Sequence, residues 1–146
     1  MIVLAFDFGK KNIGVAVGQN ITKTAKTLSC IKIKKNVINF EIFKKLFYEW
    51  KPYVAIVGLP LNMDGTQQKI TKHTKKFAKQ LFEHFKIPIY LHDERLTTIE
   101  AKTTLFEKYG FKSLKKERIN SMSAVIILES WFMNNNSIYM KSLKRN

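Results

Sequence analysis

Ile2-Val3-Leu4-Ala5-Phe6-Asp7-Phe8-Gly9-Lys10-Lys11-Asn12-Ile13-Gly14-Val15-Ala16-Val17-Gly18 is the stretch on which the fold turns. Ile2 to Phe6 is a continuous apolar run of strand length, as expected of a central strand buried on both faces. It stops at Asp7. Gly9 to Asn12 reads as a turn and Ile13 to Gly18 as a second strand, which makes a hairpin. A third strand is expected over Ala25 to Ile33. Phe40, Phe43, Leu46, Phe47 and Trp50 then have the spacing of an amphipathic helix, stopped by Pro52.

Tyr53 to Val57 is a second fully apolar strand, ending in Gly58-Leu59-Pro60. A loop, Leu61 to Gly65, leads into a long helix from about Thr66 to Phe85, with Ile70, Thr74, Phe77, Leu81 and Phe85 as its buried stripe. Pro88 to Leu91 is a short strand that runs into His92-Asp93-Glu94. Thr97 and Glu100 form a capping box for a helix to about Tyr109, closed by Gly110. The last helix is expected over Leu114 to Met133. Strands separated by helices pair in parallel through right-handed crossovers. The prediction is therefore an α/β fold: a mixed five-stranded sheet, antiparallel over its first three strands and parallel over the fourth and fifth, with helices on both faces. Residues 1–136 form one domain in this reading, and 137–146 a basic tail.

Composition narrows the function. The 146 residues suit a single domain and are too few for the two lobes of actin-like kinases and chaperones. Hydrophobic residues make up 45%, eleven of them Phe, which excludes general disorder. No apolar run approaches the ~20 residues of a membrane span, and Met1 to Phe6 lacks the charged start of a signal peptide. The single cysteine, Cys30, excludes an internal disulfide and a cysteine-based zinc site, so a cytoplasmic protein is expected. Twenty-six Lys and Arg against eleven Asp and Glu give a net charge of +15. That surplus implies a polyanionic partner, with nucleic acid ahead of an anionic membrane. Compositional drift is the alternative source for part of it, because Lys outnumbers Arg and Asn and Ile are frequent.

In open α/β sheets, ligands bind beyond the carboxyl ends of the parallel strands. Asp7 sits at one such end, and Asp93 with Glu94 at another, so Asp7 and Glu94 can face one point from two directions. Gathered carboxylates in a basic protein suit Mg²⁺ or Mn²⁺, which take oxygen ligands and leave positions for water and phosphate. Such ions promote phosphodiester cleavage. The competing reading has Asp7 bonding turn amides and Asp93 pairing with Arg95.

Four segments in order resemble the motifs of the YqgF (RuvX) family: Asp7 to Gly18, Val57 to Gly65, His92 to Thr98, and Ser121 to Glu129. The resemblance implies a ribonuclease H-like fold similar to Holliday-junction resolvases. It also implies a metal-dependent nuclease that matures the 5′ end of pre-16S ribosomal RNA, or acts on branched DNA. It makes Asp7 the first metal-binding acid and Glu94 the second, with Asp93 a weaker candidate. The family's third acid should open the last helix, and this chain has Asn120 there. An amide offers one neutral oxygen, so the site holds less negative charge. Asn120 continues the stripe of Ala124, Ile127, Leu128 and Trp131, and Glu117 on the same face is a substitute ligand. The plainer alternative makes Asn120 a helix cap and Glu117 a solvated residue.

Lys69, Lys72, Lys76 and Lys79 fall on one face of the long helix and suit phosphate contact or a merely solvated face. Lys11 in the first turn and Arg95 are further phosphate candidates. His92 is a candidate to orient substrate. The aromatics fit core stripes and define no stacking platform for bases. A catalytically weakened RNA-binding assembly factor, motivated by Asn120, is the second functional reading; an actin-like phosphotransferase is the third and lacks its second lobe. A monomer or weak homodimer is expected.

Overall fold

The computed structural model describes residues 1–96, 107, 121–134 and 138–139. Its elements run β1 (Ile2–Phe8), β2 (Asn12–Gln19), β3 (Thr24–Lys32), α1 (Phe40–Trp50), β4 (Val54–Leu59), α2 (Lys69–Phe85), β5 (Ile89–Asp93), a single 3-10 turn (Glu94–Leu96), α3 (Met122–Asn134) and β6 (Ile138–Tyr139). The sheet order is β3-β2-β1-β4-β5-β6. The first three strands are antiparallel, and β4 pairs in parallel with β1 on one side and β5 on the other. This is the expected mixed α/β sheet with one addition. Ile138–Tyr139, in the segment read from sequence as a tail, pairs antiparallel with β5 and brings the sheet to six strands. A strand of two residues is too short to show any period in sequence.

Alternation along β1 divides the core. Leu4 and Phe6 join the cluster under α1 and α2, while Val3 and Ala5 pack against α3. Phe6 is the centre of the first layer: its ring lies 5.6 Å from Phe43, 5.9 Å from Phe77 and 6.1 Å from Phe47, within the 4.5–7 Å range favoured by aromatic pairs. On the opposite face, Met122, Ala124, Val125, Ile126, Ile127 and Leu128 are all buried. A helix apolar around most of its circumference belongs in the interior, and α3 therefore fixes the second layer.

Two boundaries differ from expectation for local reasons. α2 begins at Lys69 rather than Thr66 because Gln68 and Thr71 form a reciprocal cap there. Thr66 is consumed upstream: its N–H and hydroxyl both donate to Asp64 Oδ1 (2.9 and 2.6 Å), and its carbonyl accepts from the Asn62 N–H (2.9 Å). β5 continues to Asp93, beyond the expected end at Leu91, because pairing with β4 persists through Gly58–His92 and Leu59–Asp93. Apart from Glu107, which is helical, the predicted helix from Thr97 to Tyr109 lies outside the described residues, as do the first turns of the last helix. Among those residues, no helix is long and apolar enough to cross a membrane.

Candidate metal and nucleic-acid site

The sheet register brings the two predicted acids to one edge. Phe6 is level with Val57, so Asp7 is level with Gly58, one strand away. Asp7 follows Val3 and Ala5 on the α3 face, since side chains alternate along a strand. Gly58 occupies that face too. A Cβ built there would lie 2.4 Å from Ile127 Cδ1 and 3.2 Å from Glu94 Cδ. Ile127 therefore fills the space left by the missing side chain of Gly58, and the Glu94 carboxyl carbon borders that space, one strand from the end of β1. A glycine inside an apolar strand signals such a close approach. The sequence reading placed Gly58 at a strand end and inside the second motif but gave it no role of its own beside Glu94.

The start of α3 is tied to the same edge. Ser121 is buried and its Oγ accepts a 2.9 Å hydrogen bond from the Val15 N–H. Val15 follows Gly14, the partner of Asp7 across the hairpin. The chain thus enters α3 one strand from Asp7. Asn120 and Glu117, the two remaining candidates for this centre, lie outside the described residues.

Asp93 behaves differently from Glu94. Alternation sends it to the opposite face from His92, and Arg95 occupies both of its oxygens: Nη2 donates to Oδ2 at 2.7 Å, Nε to both oxygens at 3.1 Å, and the Arg95 N–H to Oδ1 at 2.9 Å. These bonds hold the Asp93 carboxyl below its ordinary pKa and raise that of Arg95. The geometry thus puts Asp93, offered from sequence as a metal ligand, on Arg95 instead, as the competing reading had it. Arg95 also donates from Nη1 to the Met63 carbonyl at 3.3 Å and clasps the 61–66 loop to the strand ends.

His92 is fully buried, with Nε2 2.8 Å from Ser130 Oγ; Asn134 Nδ2 donates to the Ser130 carbonyl (2.9 Å) and hydroxyl (3.2 Å). Burial lowers the His92 pKa, only partly opposed by Asp93. Its structural work is to bind β5 to α3, two residues before Glu94, and its ring faces the protein interior rather than a substrate.

Lys69, Lys72, Lys76 and Lys79 are exposed on α2, which packs on the other side of the sheet from the acid pair. Lys69 stands in the first turn of α2, just after the loop from the carboxyl end of β4. Lys79 is about 15 Å further along the helix at 1.5 Å per residue. Lys11 is exposed in the hairpin turn, two positions from Gly9. Lys69 and Lys11 therefore border the carboxyl edge from α2 and from the turn, while Lys72, Lys76 and Lys79 lead away from it along α2.

Carboxylates such as those of Asp7 and Glu94, at one edge of the sheet, are hard oxygen donors of the kind that Mg²⁺ and Mn²⁺ take. No cluster of three or more His, Cys, Asp and Glu exists among the described residues. Remaining coordination positions would fall to water, to substrate phosphate or to the residue preceding Ser121.

A sheet of this order, with acids at the carboxyl ends of its first and fifth strands and an apolar helix across one face, defines a ribonuclease H-like fold of the resolvase type. Its solved counterparts include RuvC of Thermus thermophilus in complex with a Holliday junction, with a TM-score of 0.60 at 13% identity over 96% of this chain and 99% of that one. The fowlpox virus Holliday junction resolvase aligns with a TM-score of 0.55 at 17% identity, covering 92% and 99%. Residues 1–134 match the family model RuvX, described as Holliday junction resolvase, and the chain belongs to that family. Among its relatives, a protein of Buchnera aphidicola subsp. Baizongia pistaciae named "Putative pre-16S rRNA nuclease" is 65% identical over 91% of this chain and 97% of its own length. One of the same name from Wigglesworthia glossinidia brevipalpis is 55% identical over 96% and 95%.

Proposed function

We propose that this chain is a divalent-metal-dependent nuclease that hydrolyses phosphodiester bonds in precursor 16S ribosomal RNA during maturation of its 5′ end. The reading is supported by the placement of Asp7 and Glu94 at one carboxyl edge of the sheet, with Asp7 one register step past Phe6–Val57 and the Glu94 carboxyl carbon 3.2 Å from where a Cβ on Gly58 would stand. The names of relatives at 55–65% identity supply the substrate.

Asp7 and Glu94 would hold the cation, and position 120 would complete the shell as a neutral amide oxygen. A bound Mg²⁺ or Mn²⁺ supplies an acidified water and charge neutralisation at the scissile phosphate. Asp7, on a central strand buried on both faces, gives the centre a rigid origin. Gly58 leaves room for the Glu94 carboxylate, and His92–Ser130 fixes the strand that delivers it. Lys11 and Lys69 draw the phosphate backbone to the carboxyl edge, and Lys72, Lys76 and Lys79 extend that attraction along α2. Such contacts position a strand without reading bases, so binding is strongly salt-dependent and weakly sequence-specific.

A second reading, an RNA-binding assembly factor with weakened catalysis, is favoured by Asn120 at the position of the family's third acid. The deciding assay incubates a pre-16S fragment and a four-way DNA junction with Mg²⁺ or Mn²⁺, using the wild-type chain, Asp7→Asn and Glu94→Gln. RNA cleavage lost in both variants supports the proposal. RNA binding without cleavage under every condition supports the assembly factor, and cleavage of the junction alone moves the substrate to branched DNA.

A further inference from the structure

A recess lies on the α1/α2 side of the sheet, bounded by α2, the segment joining β3 to α1, and the end of β1. Its volume is about 830 Å³, within the ~300–1,000 Å³ of small-ligand pockets. Lys10, Lys69 and Lys76 line it together with His73 and His84, and among the described residues no acidic one does. An anion is the complementary occupant. The interior is apolar and flat-walled. The Phe40 ring stacks on the imidazole of His84 at 4.2 Å and 4°, and Phe8 leans on Phe77 at 5.2 Å and 30°. His84 Nδ1 donates to the Gln80 carbonyl at 2.8 Å, which fixes the plane of its ring. Asn36 and Gln80 bring amide groups to the same lining.

The opposite wall is set in advance. Val37 donates its N–H to the Lys34 carbonyl at 2.9 Å, and the two central residues, Lys35 (φ 51°) and Asn36 (φ 59°), are both left-handed. Two consecutive positive φ values are the signature of a type I′ turn, which is compact and favours Asn. Aromatic surface, amide groups and cations in one recess match the three parts of a nucleotide: a ring to stack, base edges to bond and a phosphate to neutralise.

We propose that this groove receives one unstacked nucleotide of a single-stranded nucleic acid, with its base against Phe40 and Phe8 and its phosphate on Lys10, Lys69 and Lys76. The proposal rests on the nuclease reading for the origin of the strand. Asp7 and Phe8 are consecutive and point to opposite faces of the sheet. A strand crossing the carboxyl edge can therefore present a phosphate to the acid pair and lodge a neighbouring base in the groove. Selection for single-stranded segments beside the cut follows, because a base in a duplex is not available to enter.

The test measures fluorescence anisotropy of the full chain in EDTA, so that no cation bridges phosphate to Asp7 and Glu94. The probes are a fluorescein-labelled ten-nucleotide RNA, its abasic equivalent and a blunt duplex, with free AMP as competitor. The single strand is expected to bind about tenfold more tightly than the abasic strand, the scale of one base stacked on an aromatic surface. Val37→Glu, at a 65%-exposed groove position, should abolish that preference. Lys45→Glu, an exposed change on α1 outside the groove, should weaken both strands alike. The proposal is overturned if single and abasic strands bind equally, if Val37→Glu acts only as Lys45→Glu does, or if free AMP binds as tightly as the strand. Cleavage is scored separately with Mn²⁺. No cleavage with the preference intact removes the nuclease reading alone, and cleavage with no preference removes the groove alone.

Discussion

Gly58→Ala tests the site at the point where packing and chemistry share an atom. The new Cβ would stand 2.4 Å from Ile127 Cδ1, 3.1 Å from Ile127 Cγ1 and 3.2 Å from Glu94 Cδ. Carbon pairs rest at about 3.5–4.0 Å, so the first contact is more than an ångström too close. Overpacking of this kind costs about 1–3 kcal/mol. Gly58 is not among the positive-φ residues, so alanine recovers about 0.4–1 kcal/mol of unfolded-state entropy. The net loss is about 1–2 kcal/mol, or roughly 2–8 °C in Tm for a chain of this size. The partner substitution is Ile127→Val, which deletes the Cδ1 atom and costs about 0.5–1.5 kcal/mol alone. In the double variant the worst contact disappears, so its destabilisation should fall short of the sum by about 1 kcal/mol. The 3.2 Å contact with Glu94 persists, and cleavage should stay about tenfold down in both Gly58 variants, as befits a displaced reacting group. Calorimetry and single-turnover cleavage of a pre-16S fragment read the two effects. If Ile127→Val restores activity together with stability, the Glu94 carboxylate has no special place over Gly58 and the proposed centre is wrong.

Asp7→Asn should leave Tm and RNA affinity in EDTA near wild type while lowering Mn²⁺-dependent cleavage by roughly a hundredfold or more; equal turnover would remove Asp7 from the centre. Asn120→Asp should tighten Mn²⁺ binding in calorimetry and raise cleavage, because metal affinity tracks ligand charge, and no change in either would take position 120 out of the shell. Charge reversal at Lys72 and Lys76 should flatten the dependence of RNA affinity on salt, by about 0.7 in log–log slope per lost phosphate contact on a single strand. Asp93 titrates below its unfolded value because Arg95 bonds its ionised form, so its contribution to stability is present above an unfolded pKa of about 3.9 and is lost as pH falls through the lower folded value. Acid unfolding curves of Arg95→Gln should lack that component, and identical curves would show that the pair adds nothing.

Much of this architecture was legible because apolar runs and helical stripes are periodic signals. α1 matches its predicted limits from Phe40 to Trp50, with Asn39 capping its start through a 3.1 Å bond to the Glu41 N–H. Asp7 and Glu94 were legible as acids at strand ends and as motif residues. What escaped was information carried by absence or by partner. Gly58 contributes a missing side chain, which reads in sequence as an ordinary strand glycine. The choice between Asp93 and Glu94 depends on which side of the sheet each reaches, and the 3-10 turn after Asp93 breaks the simple alternation there. His92 was read as a possible substrate contact because Ser130, 38 residues later, is not visible as its partner until α3 is laid across β5. The groove residues come from the end of β1, the β3–α1 segment and α2, and no local window contains all three.

The outer edge of β3 pairs with no other described strand. An open edge is a template for sheet extension between molecules, and lysines along it are a common deterrent. Here Lys23 precedes the strand, and Lys26 and Lys32 stand exposed upon it. The positive charge that attracts nucleic acid also keeps one copy's edge from another's, which links solubility to occupancy. Once a polyanion or strong salt neutralises the surface, that repulsion falls away. Colloidal stability should therefore be lowest near charge equivalence with RNA and should recover when either component is in excess.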